Sequence, residues 1–285
     1  MLPYYLGCPS WNEAGWRGSL YAQTTRPAEF LADYCRVFNA VEGNTTFYAW
    51  PSVETVRRWS ERMPEDFRFC AKLPRYISHE GDLRDRLGAT QDFLRLLEPL
   101  GKRVSPLWLQ LSAAFGPPRL RELGAWLDAL DRPVAVEVRH RAFFARGEEE
   151  RQLNRLLRDR GVERICLDSR ALFACVSSDP AVLHAQAKKP RVPVRPAAFS
   201  AHPQVRFIGG PDLDANQPYL EPWIDKVAAW IEAGHRPFVF LHTPDNLLAP
   251  RQARRFHAGL SRRLPGLAPL PTVADEPAEE QLGLF

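Results

Sequence analysis

Short apolar runs alternate along the chain with longer segments in which apolar side chains recur every three or four residues. The short runs predict buried strands, and the longer segments predict amphipathic helices. The predicted strands are Tyr4–Cys8, Ala40–Asn44, Arg68–Lys72, Pro106–Leu111, Val134–Val138, Arg164–Asp168, Val205–Ile208 and Pro237–His242. The predicted helices are Pro27–Phe38, Leu87–Leu97, Leu120–Leu130, Glu148–Arg160, Pro222–Ala233 and Ala249–Leu264, with a further one that starts after Ser52.

This alternation predicts an α/β fold, and we expect a single (β/α)8 TIM-like barrel over residues 1–264. A doubly wound open sheet is the alternative, but no glycine-rich phosphate-binding turn follows the first strand. Residues 169–203 interrupt the alternation and predict a long loop, whose basic, proline-punctuated part is Lys188–Arg195. Residues 265–285 are rich in Pro, Ala and acidic side chains and predict a flexible acidic C-terminal tail.

Polar side chains stand at the C-terminal ends of most predicted strands, where the active site of such a barrel lies. The catalytic candidates are Glu42, Lys72, Glu137 and Asp168, and the substrate-binding candidates on these strands are Asn44, Gln110, Arg139, His140, Arg206 and His242. Glu137 lies within an apolar run, and a carboxylate in a buried strand is costly unless it is paired or used. An ion pair of Glu137 with Arg139 or Lys72 that serves stability alone is an equally good interpretation.

Two kinds of chemistry would use these side chains. Glu42, Glu137, Asp168 and His242 would suit Mg²⁺, Mn²⁺ or Zn²⁺, which would activate water or polarise a substrate oxygen. Alternatively, Glu137 or Glu42 would act as a metal-free acid or base tuned by Lys72 and Arg139, with Arg206 and Arg139 holding an anionic group. The metal-free mechanism is favoured, because cationic side chains are in excess and no HxH or HxxE spacing occurs.

The loop after the first strand, Pro9–Gly18, contains two tryptophans, Trp11 and Trp16. Trp11 is a further substrate-binding candidate, because an indole over the site would stack on a base or a sugar. Packing of both indoles against the rim of the barrel is the favoured alternative, since large aromatic side chains bury well.

Composition narrows the class of protein. Residues 1–285 are 45% hydrophobic, but no apolar run is long enough to span a membrane. The five Cys are scattered and form no CxxC pair, which favours a reduced, cytoplasmic protein.

The net charge is +4, and the residues after Arg263 include four acidic and no basic side chains, so residues 1–263 carry +8. A basic body fits nucleic acid or a phosphorylated metabolite, although charge alone is better explained by solubility.

The last five residues, Gln281-Leu282-Gly283-Leu284-Phe285, place two leucines and a phenylalanine at the end of an acidic segment. The sequence resembles the Gln-Leu-x-Leu-Phe peptide with which bacterial replication and repair proteins bind the DNA sliding clamp. Gln281, Leu282, Leu284 and Phe285 are therefore partner-binding candidates. The alternative is that Leu284 and Phe285 fold back onto the protein's own surface.

Several motifs together indicate a family. They are Gly7–Trp11, Val41–Tyr48, Asp66–Lys72, Leu109–Leu111, Val136–His140 and Phe240–Asp245. In this order they resemble the YecE-like family, bacterial TIM-barrel proteins of unknown function, over nearly the whole chain up to Leu264. The resemblance implies the barrel but no reaction. The family tends to have Glu-Ile-Asn-Ser-Thr-Phe-Tyr where this chain has Glu42–Tyr48. It tends to have Arg-x-His-Gly where this chain has Arg206–Gly209. These departures resemble traits of the branch around the protein that gives the family its name.

The leading hypothesis is a cytoplasmic TIM-barrel protein that acts on a phosphorylated or nucleic-acid substrate and is recruited to the sliding clamp by its C-terminus. As an enzyme it would be a phosphodiesterase-like or nuclease-like hydrolase, or an isomerase. A non-catalytic adaptor that binds a small anion is the second hypothesis. A metal-dependent sugar-type isomerase or hydrolase is the third, and fold analogy alone does not decide between them.

Overall fold

A computed structural model of the chain describes residues 2–272, which form an α/β fold of short parallel strands and covering helices. The strands are β1 Tyr5–Gly7, β2 Ala40–Gly43, β3 Arg68–Ala71, β4 Leu107–Gln110, β5 Val134–Glu137, β6 Glu163–Arg164, β7 Cys166–Asp168, β8 Gln204–Ile208 and β9 Phe238–His242. The helices are α1 Phe30–Val37, α2 Thr45–Tyr48, α3 Val53–Arg62, α4 Arg75–Ser78, α5 Leu87–Leu96, α6 Leu120–Asp128, α7 Glu148–Arg158, α8 Arg170–Ala174, α9 Pro180–Lys188, α10 Leu213–Glu232 and α11 Ala249–Arg263. Short 3-10 segments occur at Ala14–Trp16, Leu83–Arg86, Glu98–Arg103, Pro117–Arg119 and Arg141–Phe144.

The strands pair in parallel in three sheets, with the orders β1-β9-β8-β7, β2-β3 and β4-β5-β6. Single backbone contacts link neighbouring sheets: the Glu42 N–H donates to the Cys8 carbonyl at 3.1 Å, and Lys72 forms an isolated bridge with Trp108. The sixth predicted strand is divided at Ile165, so that its first half pairs with β5 and its second half with β8. Parallel strands joined by helices confirm the predicted α/β class.

The strands separate an inner core from an outer one. The inner core contains one or two residues from most strands, namely Tyr5, Ala40, Cys70, Trp108, Ala135, Ile165, Phe238 and Phe240. Residues next to these in sequence, such as Leu6 and Val41, belong to the larger core beneath the helices. Because side chains alternate along a strand, every second residue faces the inner side, and this period of two positions the site described below.

The sixth predicted helix begins nine residues earlier than the sequence suggested. Helix α10 starts at Leu213, because the Asp212 carboxylate caps it by accepting from the N–H groups of Asp214 and Ala215. Pro218 and Pro222 lie inside the helix, whereas the sequence analysis placed the helix start at Pro222. A proline is a common first residue of a helix, which explains the error.

Residues 169–203 are not one long loop, because they contain the helices α8 and α9. Leu172 of α8 and Val182 and Ala185 of α9 pack on Leu167 and Ile208, near the C-terminal ends of β7 and β8. This segment therefore covers part of the C-terminal face, by which we mean the side on which the C-terminal ends of the strands lie.

The packed part of the chain continues beyond the predicted boundary at Leu264, since Leu267 and Leu270 pack against the core. The predicted partner-binding residues Gln281–Phe285 lie outside the described residues. All five cysteines have free thiols. None of the helices within residues 2–272 combines the length and the hydropathy that crossing a bilayer requires.

Candidate functional site

Polar side chains form a layer directly above the inner core, at the C-terminal face. Each of Glu42, Lys72, Gln110, Glu137 and His242 follows an inner-core residue by two positions, so the strand period places all of them on the inner side. Arg206 occupies the same position on β8, two residues after the buried Gln204. We call the following residues the charged cluster: Glu42, Lys72, Glu137, Arg139, Arg206 and His242.

Glu42 is fully buried and its carboxylate is shared by three partners. Arg206 binds it through two nitrogens, with Nη2 at 2.7 Å from Oε1 and Nε at 2.9 Å from Oε2. The Lys72 ammonium lies 3.1 Å from Oε1, and His242 Nε2 lies 2.7 Å from Oε2. Burial of this carboxylate is therefore compensated by charge and by hydrogen bonds at both oxygens.

Glu137 is the second buried carboxylate of the charged cluster and lies between two arginines. Arg139 donates to Glu137 Oε1 from Nε at 2.8 Å and from Nη2 at 2.7 Å. Arg206 Nη1 lies 3.2 Å from Glu137 Oε2, so one guanidinium bridges both carboxylates. Arg139 is the more accessible cation, because its side chain is 18% exposed whereas that of Arg206 is 3% exposed.

Lys72 is held by oxygen atoms of three side chains, which come from the ends of β2 and β4. Besides Glu42, its ammonium donates to Asn44 Oδ1 at 2.6 Å and to Gln110 Oε1 at 3.3 Å. Asn44 in turn donates to the Pro9 carbonyl at 3.0 Å, which fixes the orientation of its amide. The Trp108 ring of the inner core lies 5.0 Å below the ammonium, at the distance of a cation–π contact.

The two carboxylates remain ionised at neutral pH. Burial alone would raise the pKa of Glu42, but Arg206, Lys72 and His242 outweigh it and hold that pKa well below its usual value. Burial likewise opposes ionisation of Glu137, and Arg139, Arg206 and Lys72 lower its pKa to about 2. Such carboxylates are weak bases, since their charge is already stabilised.

The pKa values of the histidine and the lysine of the charged cluster are lowered as well, which for these two side chains favours the neutral form. Burial lowers the pKa of His242 to about 3 despite the attraction of Glu42, so His242 is neutral. Burial, together with repulsion by Arg206, lowers the pKa of Lys72 to about 8 against the attraction of Glu42 and Glu137. Lys72 is therefore closer to exchanging a proton at neutral pH than either glutamate.

Asp168 does not join the charged cluster, contrary to the hypothesis that grouped it with Glu42. It is paired in register with Phe207, an outer-core residue, while its neighbour Leu167 is paired with Arg206. Its carboxylate binds the Arg170 guanidinium, with Nη2 at 2.7 Å, and accepts from Trp223 Nε1 at 2.8 Å. Side chains alternate between the two faces of a strand, and Asp168 is an odd number of residues from the inner-core residue Ile165. This alternation alone could have excluded Asp168 from the charged cluster.

The hypothetical metal site of Glu42, Glu137, Asp168 and His242 does not fit the geometry. Within residues 2–272, no three or more His, Cys, Asp or Glu side chains are grouped as metal ligands would be. The carboxylate oxygens of both glutamates instead face arginine and lysine nitrogens. Cations of the protein occupy the positions around these oxygens that a divalent ion would need.

Trp11 borders a cavity beside the charged cluster, whereas Trp16 is part of the core. Trp16 is fully buried and donates from Nε1 to the Asn246 carbonyl at 2.9 Å. Trp11 is half-buried and meets Trp59 edge-to-face at 5.3 Å. The cavity has a volume of about 320 Å³, and its lining includes Trp11, Asn12, Glu42, Asn44, Trp50 and Trp59.

His140 lies at the edge of the site. Its Nδ1 accepts from the Ala142 N–H at 3.2 Å and thereby caps the 3-10 segment Arg141–Phe144. This contact gives His140 a local structural role. Its ring also packs against Gly116, where an added Cβ would come within 3.0 Å of Nε2.

Lys189 is a residue of this site that the sequence analysis missed. It follows α9, and its N–H donates to the Ala185 carbonyl at 2.9 Å. Because Ala185 and Lys189 are four residues apart, Lys189 continues the face of α9 that packs on the strands. Its charge interacts with Arg206, Glu42, Lys72 and Glu137, and burial is the main reason that its pKa falls to about 7.

A second cavity, of about 550 Å³, lies on the outer side of the same segment. Its lining includes Ser169, Arg170, Phe173, Arg191 and Tyr219. Asp168 orients the Arg170 guanidinium in this wall, and the Arg191 guanidinium lies 5.5 Å from the Phe173 ring.

Comparison with known proteins gives consistent matches over most of the chain. Residues 5–276 match the family described as "Protein of unknown function DUF72". UPF0759 protein YecE of Escherichia coli K12 is 41% identical over 274 residues, which cover 95% of this chain and 98% of the relative. The YecE protein of Escherichia coli O157:H7 is 40% identical over the same shares.

Two crystal structures of DUF72 family proteins share the fold. The protein from Thermotoga maritima MSB8 has a TM-score of 0.67 at 21% identity, over 90% of this chain and 99% of that one. The protein from Enterococcus faecalis V583 has a TM-score of 0.66 at 18% identity, over 95% of this chain and 100% of that one. Both are TIM-barrel-like, and the chain whose charged cluster is described above belongs to the DUF72 family of proteins of unknown function.

Proposed function

We propose that the protein binds a small anionic molecule, best represented by a phosphorylated metabolite, at the charged cluster and acts on it by acid–base chemistry. The observation that carries the proposal is the charge balance. Within residues 2–272, the carboxylates that Lys72, Arg139 and Arg206 contact are those of Glu42 and Glu137, while His242 is neutral. A partly buried site with one cation in excess attracts an anion more strongly than an exposed site would.

The two arginines have different roles in this proposal. Arg206 uses Nε and both Nη atoms on Glu42 and Glu137, so it orients the carboxylates and has little left for a ligand. Arg139 binds one oxygen of Glu137 through Nε and Nη2, which leaves Nη1 for an anion. Arg139 is also the more exposed of the two, and guanidinium groups suit phosphate and carboxylate oxygens.

Lys72 is the best candidate for proton transfer. Its pKa of about 8 is near the working pH of most enzymes, whereas that of Glu137 is about 2. The sequence hypothesis gave the acid–base role to Glu42 or Glu137. In the proposal these carboxylates instead keep Lys72 and Arg206 in place.

The tryptophan-lined cavity would receive the remainder of the ligand. It adjoins the charged cluster at Glu42 and Asn44, and its volume of about 320 Å³ suits a metabolite rather than a polymer. Trp50 lines this cavity and is 38% exposed, so its indole would be within reach of a sugar or a base. These features favour a small-molecule substrate over a nucleic acid at this site.

Calorimetric titration with inorganic phosphate and with a panel of phosphorylated metabolites tests the proposal. We expect binding to the intact chain and at least a tenfold loss of affinity in Arg139→Ala, since one charge-assisted contact is worth about 1.5–3 kcal/mol. Arg141→Ala is the matched control, because Arg141 is a nearby exposed arginine outside the charged cluster. Equal affinities of the two variants, or no binding to the intact chain, would refute the proposal.

A second candidate function is recruitment to the DNA sliding clamp through Gln281–Phe285. It is supported by the resemblance of this C-terminal sequence to clamp-binding peptides. Surface plasmon resonance on the host's clamp would compare the intact chain with a chain that ends at Glu280. The proposal requires that only the intact chain binds and that Leu284→Ala/Phe285→Ala abolishes the signal, with Gly283→Ala as a control.

A further inference from the structure

Lys189 is a cation without a counter-ion beside a site whose other cations are all paired. Lys72, Arg139 and Arg206 each contact a carboxylate. Among the residues that the structure describes, none forms a salt bridge or side-chain hydrogen bond with the Lys189 ammonium. An unpaired amine at such a place is available to a ligand.

The packing of α9 explains why Lys189 reaches the charged cluster. Val182 and Ala185 fix the inner face of the helix against Leu167 and Ile208, which lie on the inner side of β7 and β8 next to Arg206. The Ser169 hydroxyl donates to the Pro190 carbonyl at 2.9 Å and ties the chain after Lys189 to the end of β7. Lys189 is half-buried, whereas its neighbour Lys188 is exposed.

The use of lysine in this chain is selective. The sequence has 38 Lys and Arg residues, of which only Lys72, Lys102, Lys188, Lys189 and Lys226 are lysines. Arginine supplies most of the positive charge of the chain, yet two of these few lysines lie at the site. A guanidinium cannot lose its proton in a protein, whereas an amine can and then becomes a nucleophile.

We infer that the Lys189 ε-amino group is a nucleophile that forms an imine with an aldehyde or ketone carbonyl of the anionic ligand. This inference rests on the proposed function and narrows its substrate class to phosphorylated aldehydes and ketones. The amine lone pair adds to the carbonyl carbon, a proton passes from nitrogen to oxygen, and the resulting hydroxyl group leaves as water with one further proton. Net, one amine and one carbonyl give one imine and one water, and no oxidant or reductant is needed.

The surroundings favour the neutral amine that this step requires. Burial and the positive charges of Arg206 and Lys72 lower the pKa of Lys189 to about 7, against the attraction of Glu42 and Glu137. His242, which also faces Lys189, is neutral and does not oppose this shift. A substantial fraction of the amine is thus unprotonated at neutral pH.

Pyridoxal 5′-phosphate is a suitable probe, because it carries both a phosphate and an aldehyde. The intact chain would be incubated with it at pH 7, reduced with borohydride, digested and mapped by mass spectrometry. We expect Lys189 to carry most of the label, and inorganic phosphate to protect it. Lys189→Arg should lower total labelling at least tenfold, and Lys188→Arg should leave it unchanged.

The pH dependence gives an independent criterion. Labelling of Lys189 should rise through pH 7 and level off above pH 8. A rate that still increases about tenfold per pH unit up to pH 9.5 would overturn the inference, since that is the behaviour of an ordinary lysine. Lys189→Met, checked for folding by its thermal melt, removes the amine as a second variant and should be as unreactive as Lys189→Arg.

The two proposals fail in different ways. Label spread evenly over the lysines, together with phosphate binding that depends on Arg139, would overturn the role of Lys189 and leave the anion site standing. Absence of both Lys189 labelling and phosphate binding would overturn the inference together with the proposed function.

Discussion

Both carboxylate oxygens of Glu42 are shared between partners, which makes Glu42 the residue that holds the charged cluster together. Arg206 and Lys72 are buried at 3% exposure each, so neither can turn to water if Glu42 loses its charge. Removing one partner of a buried ion pair leaves an uncompensated charge, and this lowers the free energy of unfolding by more than the intact pair contributes to it. The effect of substituting Glu42 is therefore expected to be large.

Glu42→Gln should therefore lower the free energy of unfolding by about 3–5 kcal/mol. The double variant Glu42→Gln/Lys72→Met should regain part of this loss, because Lys72 loses its carboxylate partner in Glu42→Gln, whereas Arg206 keeps its contact with Glu137. Denaturant-induced unfolding followed by circular dichroism measures both. A loss below about 1 kcal/mol in Glu42→Gln would contradict a buried ion network.

Glu137→Gln should be milder, since Arg206 keeps its two contacts with Glu42 and Arg139 is partly exposed. We expect a loss of about 1–3 kcal/mol, which is typical for one buried charge-assisted hydrogen bond. The same unfolding measurement compares the losses in unfolding free energy of the two variants. A larger effect at Glu137 than at Glu42 would show that the second carboxylate is the true centre of the charged cluster.

At the scale of elements, the segment of α8 and α9 is held to the strands by few polar contacts. Gln186 Nε2 joins α9 to α8 by donating to the Leu172 and Cys175 carbonyls at 2.9 Å each, whereas the Ser169 hydroxyl, just after β7, donates to the Pro190 carbonyl. Most apolar residues beneath the segment belong to a small cluster around Leu167, and Ala171 packs in the larger core. Such a segment opens locally at a lower cost than the strands do.

Ser169→Ala should loosen this segment without unfolding the protein. We expect the loss of one hydrogen bond to cost about 1 kcal/mol and to speed amide exchange in residues 180–192. Hydrogen–deuterium exchange with mass spectrometry reads this out, with the peptides of β8 and β9 as internal controls. Faster exchange spread equally over the strands would refute a local role for Ser169.

The strands could be predicted from sequence better than this segment, for a physical reason. Strands such as Val134–Glu137 are continuous apolar runs bounded by polar residues, and those runs have few alternative structures. Helix α9 has exposed residues on most sides and a proline-rich sequence after it, so its pattern resembles a loop. The extra turns of α10 were missed because Pro218 and Pro222 lie inside it.

The charged cluster could be predicted in large part, because strand ends of a parallel α/β fold meet on one face. Glu42, Lys72, Gln110, Glu137, Arg206 and His242 all follow from that rule. Asp168 also stands at a strand end, but its side chain lies on the other face of the strand from the inner-core residue Ile165. Lys189 lies on no strand, and only the scarcity of lysine in the sequence could have drawn attention to it.

At the scale of the whole molecule, the neutral buried histidine makes stability depend on pH. The folded-state pKa of His242 is about 3, below the ordinary histidine value of about 6.5. Between these values the unfolded chain binds more protons, so stability decreases as the pH falls through this range. Above pH 6.5 the contribution is fully present.

We expect His242 to account for a loss of about 2 kcal/mol in unfolding free energy between pH 7 and pH 5. His242→Gln keeps a hydrogen-bond donor for Glu42 but cannot be protonated, so its stability should fall less over this interval. Denaturant melts of both proteins at each pH measure the difference. Parallel pH profiles would mean that His242 does not titrate differently on folding.

The position of a bound anion is the most direct test of the account as a whole. Crystals of the intact protein would be soaked with tungstate, a heavy analogue of phosphate, and the tungsten located by its anomalous scattering. The account predicts an anion within hydrogen-bonding distance of Arg139 at the charged cluster. Tungstate found only elsewhere, for example in the cavity lined by Arg170 and Arg191, would contradict it.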